Sequence, residues 1–343
     1  MQGRKWVTKG FVFGMVLVVA ALSQLGTSGA APATKVIELS FSHHEPAESW
    51  FNKLFMDFAT EIEKRTNGQV KITVYPGAAL LKPNQVYEGI IKGVADIGTS
   101  TCSYTPGRFP LTEVIDLPIG TRSSWQGSHI AWEIYKKFQP TEFEEAKLLY
   151  LWTSPSSHIN TKKPVNKLED MKGLKIRCAP GARPMMDALG AVPIGIPISD
   201  TYTGLERGTF DGTLGPYQVL KSFRLAEVIK YTTEAYFYAG YWFVSMNRDK
   251  WNSLSPELKK IFEEVSEKFV DISGRRNDEA DLVGKDLSLS LGNKVITLPS
   301  EELARWDEHF RPILDKWVAE KEAKGFPARA ALNEVFSLQK KYK

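Results

Sequence analysis

Apolar positions change period repeatedly in the first third of the chain. Lys35 to Phe41 alternates polar and apolar residues, the period of a half-buried strand, while Ala47 to Arg65 sets Trp50, Leu54, Phe55, Phe58 and Ile62 at the spacing of an amphipathic helix. After Asn67-Gly68 the alternation returns from Gln69 to Tyr75, so strand, turn-bounded helix and strand predict a βαβ unit. A second helix carries Val86, Ile90 and Ile91, opens near Pro83 and Asn84 and ends at Gly93. Ala95 to Thr99 then reads as a short strand whose exit reaches Ser100, Thr101 and Tyr104. In open α/β sheets ligands lie beyond the carboxyl ends of strands, which makes these three residues candidates for a cleft.

The same plan is spelled a second time. Tyr87-Glu-Gly-Ile-Ile-Lys-Gly-Val-Ala-Asp96 and Tyr202-Thr-Gly-Leu-Glu-Arg-Gly-Thr-Phe-Asp211 share Tyr, two Gly and Asp at a separation of 115 residues. Each reads as a helix stopped by glycine and followed by a turn into Asp. Ahead of the second copy, Asp170-Met-Lys-Gly173 is a turn and Leu174 to Arg177 a strand cut off by Ala179-Pro-Gly181. Alternation puts Leu174 and Ile176 on one face and Lys175 and Arg177 on the other, with Arg177 at the strand's carboxyl end. Met185 to Leu189, Val192 to Ile196 and Tyr241 to Met246 supply a helix and two more strands. Two like halves predict two lobes with a ligand between them.

Beyond Ser255 the period becomes helical and stays so. Pro256 sits at a first helical position, and Leu258, Ile261, Phe262, Val265, Phe269 and Ile272 form one stripe that little interrupts before Leu291. Two further helices, 300–324 and 328–343, are expected, with Trp306, Phe310, Leu314 and Trp317 as packing residues. The predicted fold class is α/β: a two-lobed binding-protein fold, each lobe a mixed sheet flanked by helices, braced by a long helix. Lobe I is expected at 31–152 with 243–285 returning to it, lobe II at 153–242, and 286–343 bracing both. Hinge motion is expected where the chain crosses, near Trp152 to Ser154 and Tyr241 to Ser245.

The amino terminus alters the charge picture. Arg4, Lys5 and Lys9 precede an apolar run from Phe11 to Leu22, and Ser28-Gly29-Ala30 follows, the order of a secretory signal cut after residue 30. The run is short for a membrane span of ~20 residues. Its removal takes three positive charges, so a formal +4 becomes +1, with 41 basic against 40 acidic residues. A near-neutral exported protein without a basic, aromatic-laced tract is a poor partner for nucleic acid. Its two cysteines, Cys102 and Cys178, make no disulfide framework and are read as free buried thiols.

Several segments together resemble one family. Leu168-Glu-Asp-Met-Lys-Gly-Leu-Lys-Ile-Arg177, Pro197-Ile-Ser-Asp-Thr-Tyr-Thr-Gly-Leu-Glu-Arg-Gly-Thr-Phe-Asp-Gly212 and Trp251-Asn-Ser-Leu-Ser-Pro-Glu257 are similar to the periplasmic solute receptors of tripartite ATP-independent periplasmic (TRAP) transporters, the DctP-like family. Asn67-Gly68, Gly93-Val-Ala-Asp96 and Phe109-Pro-Leu111 through Asp116-Leu-Pro118 fit it in order and spacing. The resemblance implies a periplasmic receptor that closes on a small organic acid and hands it to an integral membrane permease, with no catalysis and no cofactor; a monomer is expected. It also implies that Arg177 is the ligand anchor, since the planar guanidinium can form two parallel hydrogen bonds to a carboxylate.

The chain departs from sialate-type receptors, which carry a second arginine upstream of the anchor. Here Ser156, Ser157 and His158 occupy that neighbourhood, and Thr213-Leu-Gly-Pro-Tyr217 replaces their ligand-contacting Asn segment. Gly215 leaves space, and Trp152, Tyr217, Tyr238 and Trp242 offer flat walls, so the expected ligand is a monocarboxylate with an aromatic or short aliphatic body. His43 and His44 close the first strand. Adjacent residues of an extended chain face opposite ways, so one of these rings is expected to donate to the ligand and no metal site is expected. The other readings are a receptor for an organosulfonate, a receptor serving an ATP-driven importer or a sensor, and an exported hydrolase. For the last there is no Gly-x-Ser-x-Gly elbow, and His158 beside Ser156 and Ser157 is the only hint.

Overall fold

The structure, a computed structural model, describes residues 36–343. The expected signal segment lies outside the described residues. In chain order the elements are β1 (Ile37–Ser42), α1 (Trp50–Arg65), β2 (Val70–Tyr75), α2 (Val86–Ile91), β3 (Ile97–Thr101), α3 (Ser124–Phe138), β4 (Ala146–Thr153) and β5 (His158–Thr161). There follow β6 (Lys175–Cys178), α4 (Arg183–Ala188), β7 (Val192–Gly195), α5 (Thr201–Glu206), β8 (Gly212–Gly215), α6 (Tyr217–Ser222), β9 (Tyr231–Glu234) and β10 (Tyr241–Asn247). The chain ends with α7 (Arg248–Ser253), α8 (Pro256–Ser290), β11 (Lys294–Thr297), α9 (Ser300–Glu322) and α10 (Ala328–Lys341).

Two mixed sheets result, one in the order β2-β1-β3-β10-β4 and the other β11-β9-β5-β8-β6-β7. The repeated sequence accounts for their likeness. In the first sheet β1 lies between parallel β2 and β3, and in the second β6 lies between parallel β7 and β8. The shared Asp performs the same task in each: Asp96 accepts from the backbone N–H of Ser40 in β1 at 2.8 Å, and Asp211 from that of Lys175 in β6 at 2.9 Å. The shared second glycines, Gly93 and Gly208, have φ of +72° and +70°, a left-handed conformation that side chains resist and that turns each helix end toward its strand.

Burial follows the predicted stripes. Phe51, Leu54, Phe55, Phe58 and Ile62 of α1 pack with Leu39, Phe41, Tyr150 and Trp152 on one face of the first sheet, joined by Phe262, Val265 and Phe269 of α8. On the second sheet Trp306 and Phe310 of α9 close over Phe237 and Ile176. Trp317, one helix face further on, is buried with α10 against the first sheet. Cys102 and Cys178 are buried and unpaired.

Helix α8 serves both lobes through paired devices. Its Asp278 accepts from the N–H groups of Ser124 and Trp125 at 2.6 and 2.9 Å, satisfying the start of α3, and its Asp281 does the same for Gln218 of α6 at 2.9 Å. The chain crosses between sheets at 154–157 and 235–240, and the crossings are bonded to each other. Ser154 N–H donates to Gly240 O at 2.8 Å, Gly240 N–H to Ser154 Oγ at 3.0 Å and Ser157 N–H to Tyr238 O at 2.7 Å. The second crossing thus precedes β10, whose pairing with β4 shifts register between Val244 and Ser245.

Candidate functional site

A cavity of about 70 Å³ lies between the sheets, where the carboxyl ends of β1, β3, β6 and β8 converge. Among the residues around it are Glu45, Thr101, Tyr104, Ser154, Ser157, Arg177, Gly215, Gln218, Tyr238 and Trp242. Arg177 is only 4% exposed. Its place follows from the parity of β6: Ile176 points into the core of the second lobe, so the next residue must face the cleft. Arg177 Nε donates to Ile196 O at 2.9 Å and Nη2 to the Tyr104 hydroxyl at 3.3 Å. Among the described residues no carboxylate comes within ion-pairing distance of it. A desolvated cation without a partner is costly, and an anion entering the cavity removes that cost.

Tyr104 joins the lobes. Its oxygen accepts from Arg177 and, at 3.0 Å, from the backbone N–H of Ile198, both across the cleft. With two donors satisfied there, its own proton is left to donate to a ligand. Burial pushes its hydroxyl pKa up, against the pull of Arg177, so it stays a neutral donor. Tyr104→Phe is therefore expected to cost about 1–3 kcal/mol of ligand binding, because it removes that donor and orphans the Ile198 N–H in the closed form. Calorimetric titration checks the value.

The other nominated residues fall into two groups. Thr101, Ser157, Gly215, Tyr238 and Trp242 line the cavity. His44 stands one layer behind, its ring stacked on Trp242 with centroids 5.1 Å apart and 5.6 Å from Tyr104. The remaining five lie elsewhere. β3 runs on through Thr101, so Ser100 points to the opposite face, where its hydroxyl donates to Pro83 O at 2.7 Å. His43 faces away from His44, against Asn52 and Phe55. Trp152 is enclosed by Phe51, Phe55 and Trp242 in the core of the first lobe. Tyr217 donates to Glu234 at 3.1 Å, which also accepts from Lys285 of α8 at 2.8 Å, and His158 packs its ring on Tyr217 and Tyr236.

Burial holds all three of these histidines neutral, His43 and His158 at about 4 and His44 at about 3, the last lowered further by His43 and Arg177. Glu45 lines the cavity, and the sequence pattern had not nominated it. It follows the end of β1 just as Tyr104 follows β3, so the strand-exit rule applied to it equally. Gln218 and Ser154 were missed with it, the first on the short helix α6 and the second at the crossing.

A family model for bacterial extracellular solute-binding protein, family 7 (DctP), matches residues 41–321. The chain belongs to this family. A TRAP periplasmic solute-binding protein of Desulfovibrio salexigens is 32% identical and superposes with a TM-score of 0.81 over 90% of this chain and 97% of that one. A TRAP solute-binding protein of Rhodoferax ferrireducens, solved with copurified benzoate, is 26% identical with a TM-score of 0.85, covering 90% and 98%. The C4-dicarboxylate-binding periplasmic protein DctP of Rhodobacter capsulatus is 26% identical over 329 residues, 89% of this chain and 93% of that one. Family 7 proteins of this kind are receptors of TRAP transporters that capture small organic acids outside the cytoplasm and work with a membrane permease. Among the described residues no helix of this family 7 receptor is long and apolar enough to cross a membrane.

Proposed function

We infer that this receptor is a monomer exported by its amino-terminal signal, and that it captures one small monocarboxylate between its lobes without chemical change. Arg177 carries the inference: it is buried, positively charged and uncompensated. A second carboxylate on the ligand would have no cation to meet and would approach Glu45, so a C4-dicarboxylate of the kind named for the R. capsulatus relative fits poorly. The cavity, at about 70 Å³, is under half the ~150 Å³ of an engineered cavity that holds benzene. In this closed form it suits a short acid. A ring such as the benzoate of the R. ferrireducens protein needs the lobes to part or the Trp242 and Tyr238 walls to shift.

Ligand stabilises the closed form by its differential affinity for it. Since only the folded protein binds, a hundredfold excess over Kd is expected to add about 2.7 kcal/mol of stability. Thermal melts of the processed protein across short, aromatic and dicarboxylic acids measure this directly. A shift with monocarboxylates and none with dicarboxylates supports the inference. No shift with any carboxylate contradicts it, and turnover of a bound acid contradicts the non-enzymatic part.

A further inference from the structure

Glu45 presents a second unsatisfied polar group to the cavity that holds Arg177. Its side chain is 2% exposed and, among the described residues, Oε2 has no hydrogen-bond partner. The nearest basic atom to Oε1 is Nε2 of His44 at 3.8 Å, on a ring that burial keeps neutral. The backbone fixes the group in place, since Glu45 O accepts from Gly77 N–H at 2.8 Å. A carboxyl desolvated without a cation is held in its protonated form, and burial pushes this one up to about 8. A protonated carboxyl donates through its O–H, whereas a carboxylate only accepts.

Charge balance narrows the ligand. With Arg177 positive and Glu45 neutral, a monoanion brings the closed cleft to zero net charge. A zwitterion would require Glu45 to surrender its proton, and a plain alkyl or aryl acid would bring no neutral oxygen to accept from the Glu45 hydroxyl. Building on the monocarboxylate reading above, we propose that Glu45 is the second ligand anchor of the cleft and that the receptor prefers hydroxy- or oxo-acids, whose neutral oxygen accepts from the Glu45 carboxyl.

The titratable groups facing Glu45 are His44 beside it, His43 before that, Tyr104 and Tyr238 across the cavity and Arg177 on the opposite lobe. Asp116 lies behind Tyr238, accepting from its hydroxyl at 3.0 Å, and is pushed up to about 7 by burial. The histidines are neutral above pH 6 and the tyrosine hydroxyls are raised by burial, leaving Glu45 and Asp116 to titrate between pH 6 and 9. A Glu45 variant separates those two.

The test is calorimetry at pH 6.5 and 9 on the processed protein and on Glu45→Gln and Glu45→Leu, with matched sets: propanoate, 2-hydroxypropanoate, 2-oxopropanoate and alanine; benzoate and 3-hydroxybenzoate; phenylacetate and mandelate. In the wild type an oxygen-bearing acid is expected to bind at least tenfold tighter than its parent, with affinity falling about tenfold per pH unit above 8 as Glu45 ionises. Glu45→Gln, whose amide still donates, keeps the preference and loses the alkaline fall; Glu45→Leu loses the preference while still binding the parent acid through Arg177. Equal affinity for parent and oxygenated acids, tightest binding of alanine, or an alkaline fall that survives in Glu45→Gln overturns the Glu45 assignment but leaves the carboxylate receptor standing. Failure of every acid to bind the wild type overturns both.

Discussion

Arg177→Ala is expected to weaken binding of the preferred acid by about 2–5 kcal/mol, roughly 30- to 5,000-fold in Kd. Among the described residues the guanidinium is the only cationic group on the cavity wall, and its Nε bond to Ile196 O fixes the plane of the fork, so a carboxylate arriving between the lobes meets donors already aimed. Arg177→Lys keeps the charge but loses both the fork and the bonds to Ile196 and Tyr104, and should fall between wild type and Ala. The empty protein should respond in the opposite sense. Removing a desolvated cation that has no anionic partner among the described residues relieves a cost, so the ligand-free melting temperature of Arg177→Ala is expected to equal or exceed that of the wild type. Calorimetry and melts on the same samples read both effects. An unchanged Kd takes Arg177 out of the site, and a large drop in ligand-free stability means that a protein group pairs with it.

Arg177 was legible because a short strand with one buried face leaves no freedom: Ile176 goes inward, and its neighbour goes to the cleft. The same rule misplaced Ser100. The sequence puts the end of the third strand at Thr99, the strand runs on to Thr101, and at period two an extension by a pair of residues makes a supposed loop residue into one that faces the lobe's interior. Trp152 failed for another reason. Leu148 through Thr153 is buried on both faces, so no alternation marks which side a given residue takes.

The repeat told more than its residues stated. Asp96 and Asp211 proved to be backbone acceptors that tie β1 and β6, the strand held between two parallel neighbours in each sheet, which explains why Asp recurs without lining the cavity. The short elements β5, β8, α6, β9 and β11, of four to six residues, are too brief for periodicity to register, and they supply much of the second sheet. Glu45 escaped because an acid in a loop ordinarily signals solvent; only three-dimensional enclosure turns it into a neutral donor.

Gly284→Val is expected to destabilise the protein by about 1–3 kcal/mol and to weaken ligand binding at the same time. A Cβ at Gly284 would stand 2.2 Å from Tyr217 O and 2.6 Å from its carbonyl carbon, atoms of the backbone that cannot rotate aside. Gly274 makes the matching approach to the first lobe, where a Cβ would lie 2.6 Å from Trp125 Cα. Helix α8 thus touches α3 and α6 backbone to backbone, and its Asp278 and Asp281 reach their N-terminal N–H groups because of that closeness. Glycine within an exposed helix costs about 1 kcal/mol relative to alanine, so Gly284→Ala on an open surface would stabilise. Here the sign should reverse: even Gly284→Ala is expected to lower the melting temperature, with Val lower still. Because α6 begins at Tyr217 and carries Gln218 and Val219 into the cavity wall, a wedge at residue 284 shifts that wall as well as loosening the brace. A melt and a ligand titration on each variant check the two effects together. A raised melting temperature for Gly284→Ala would mean that α8 can slide outward and that the contact does not hold the second lobe in place.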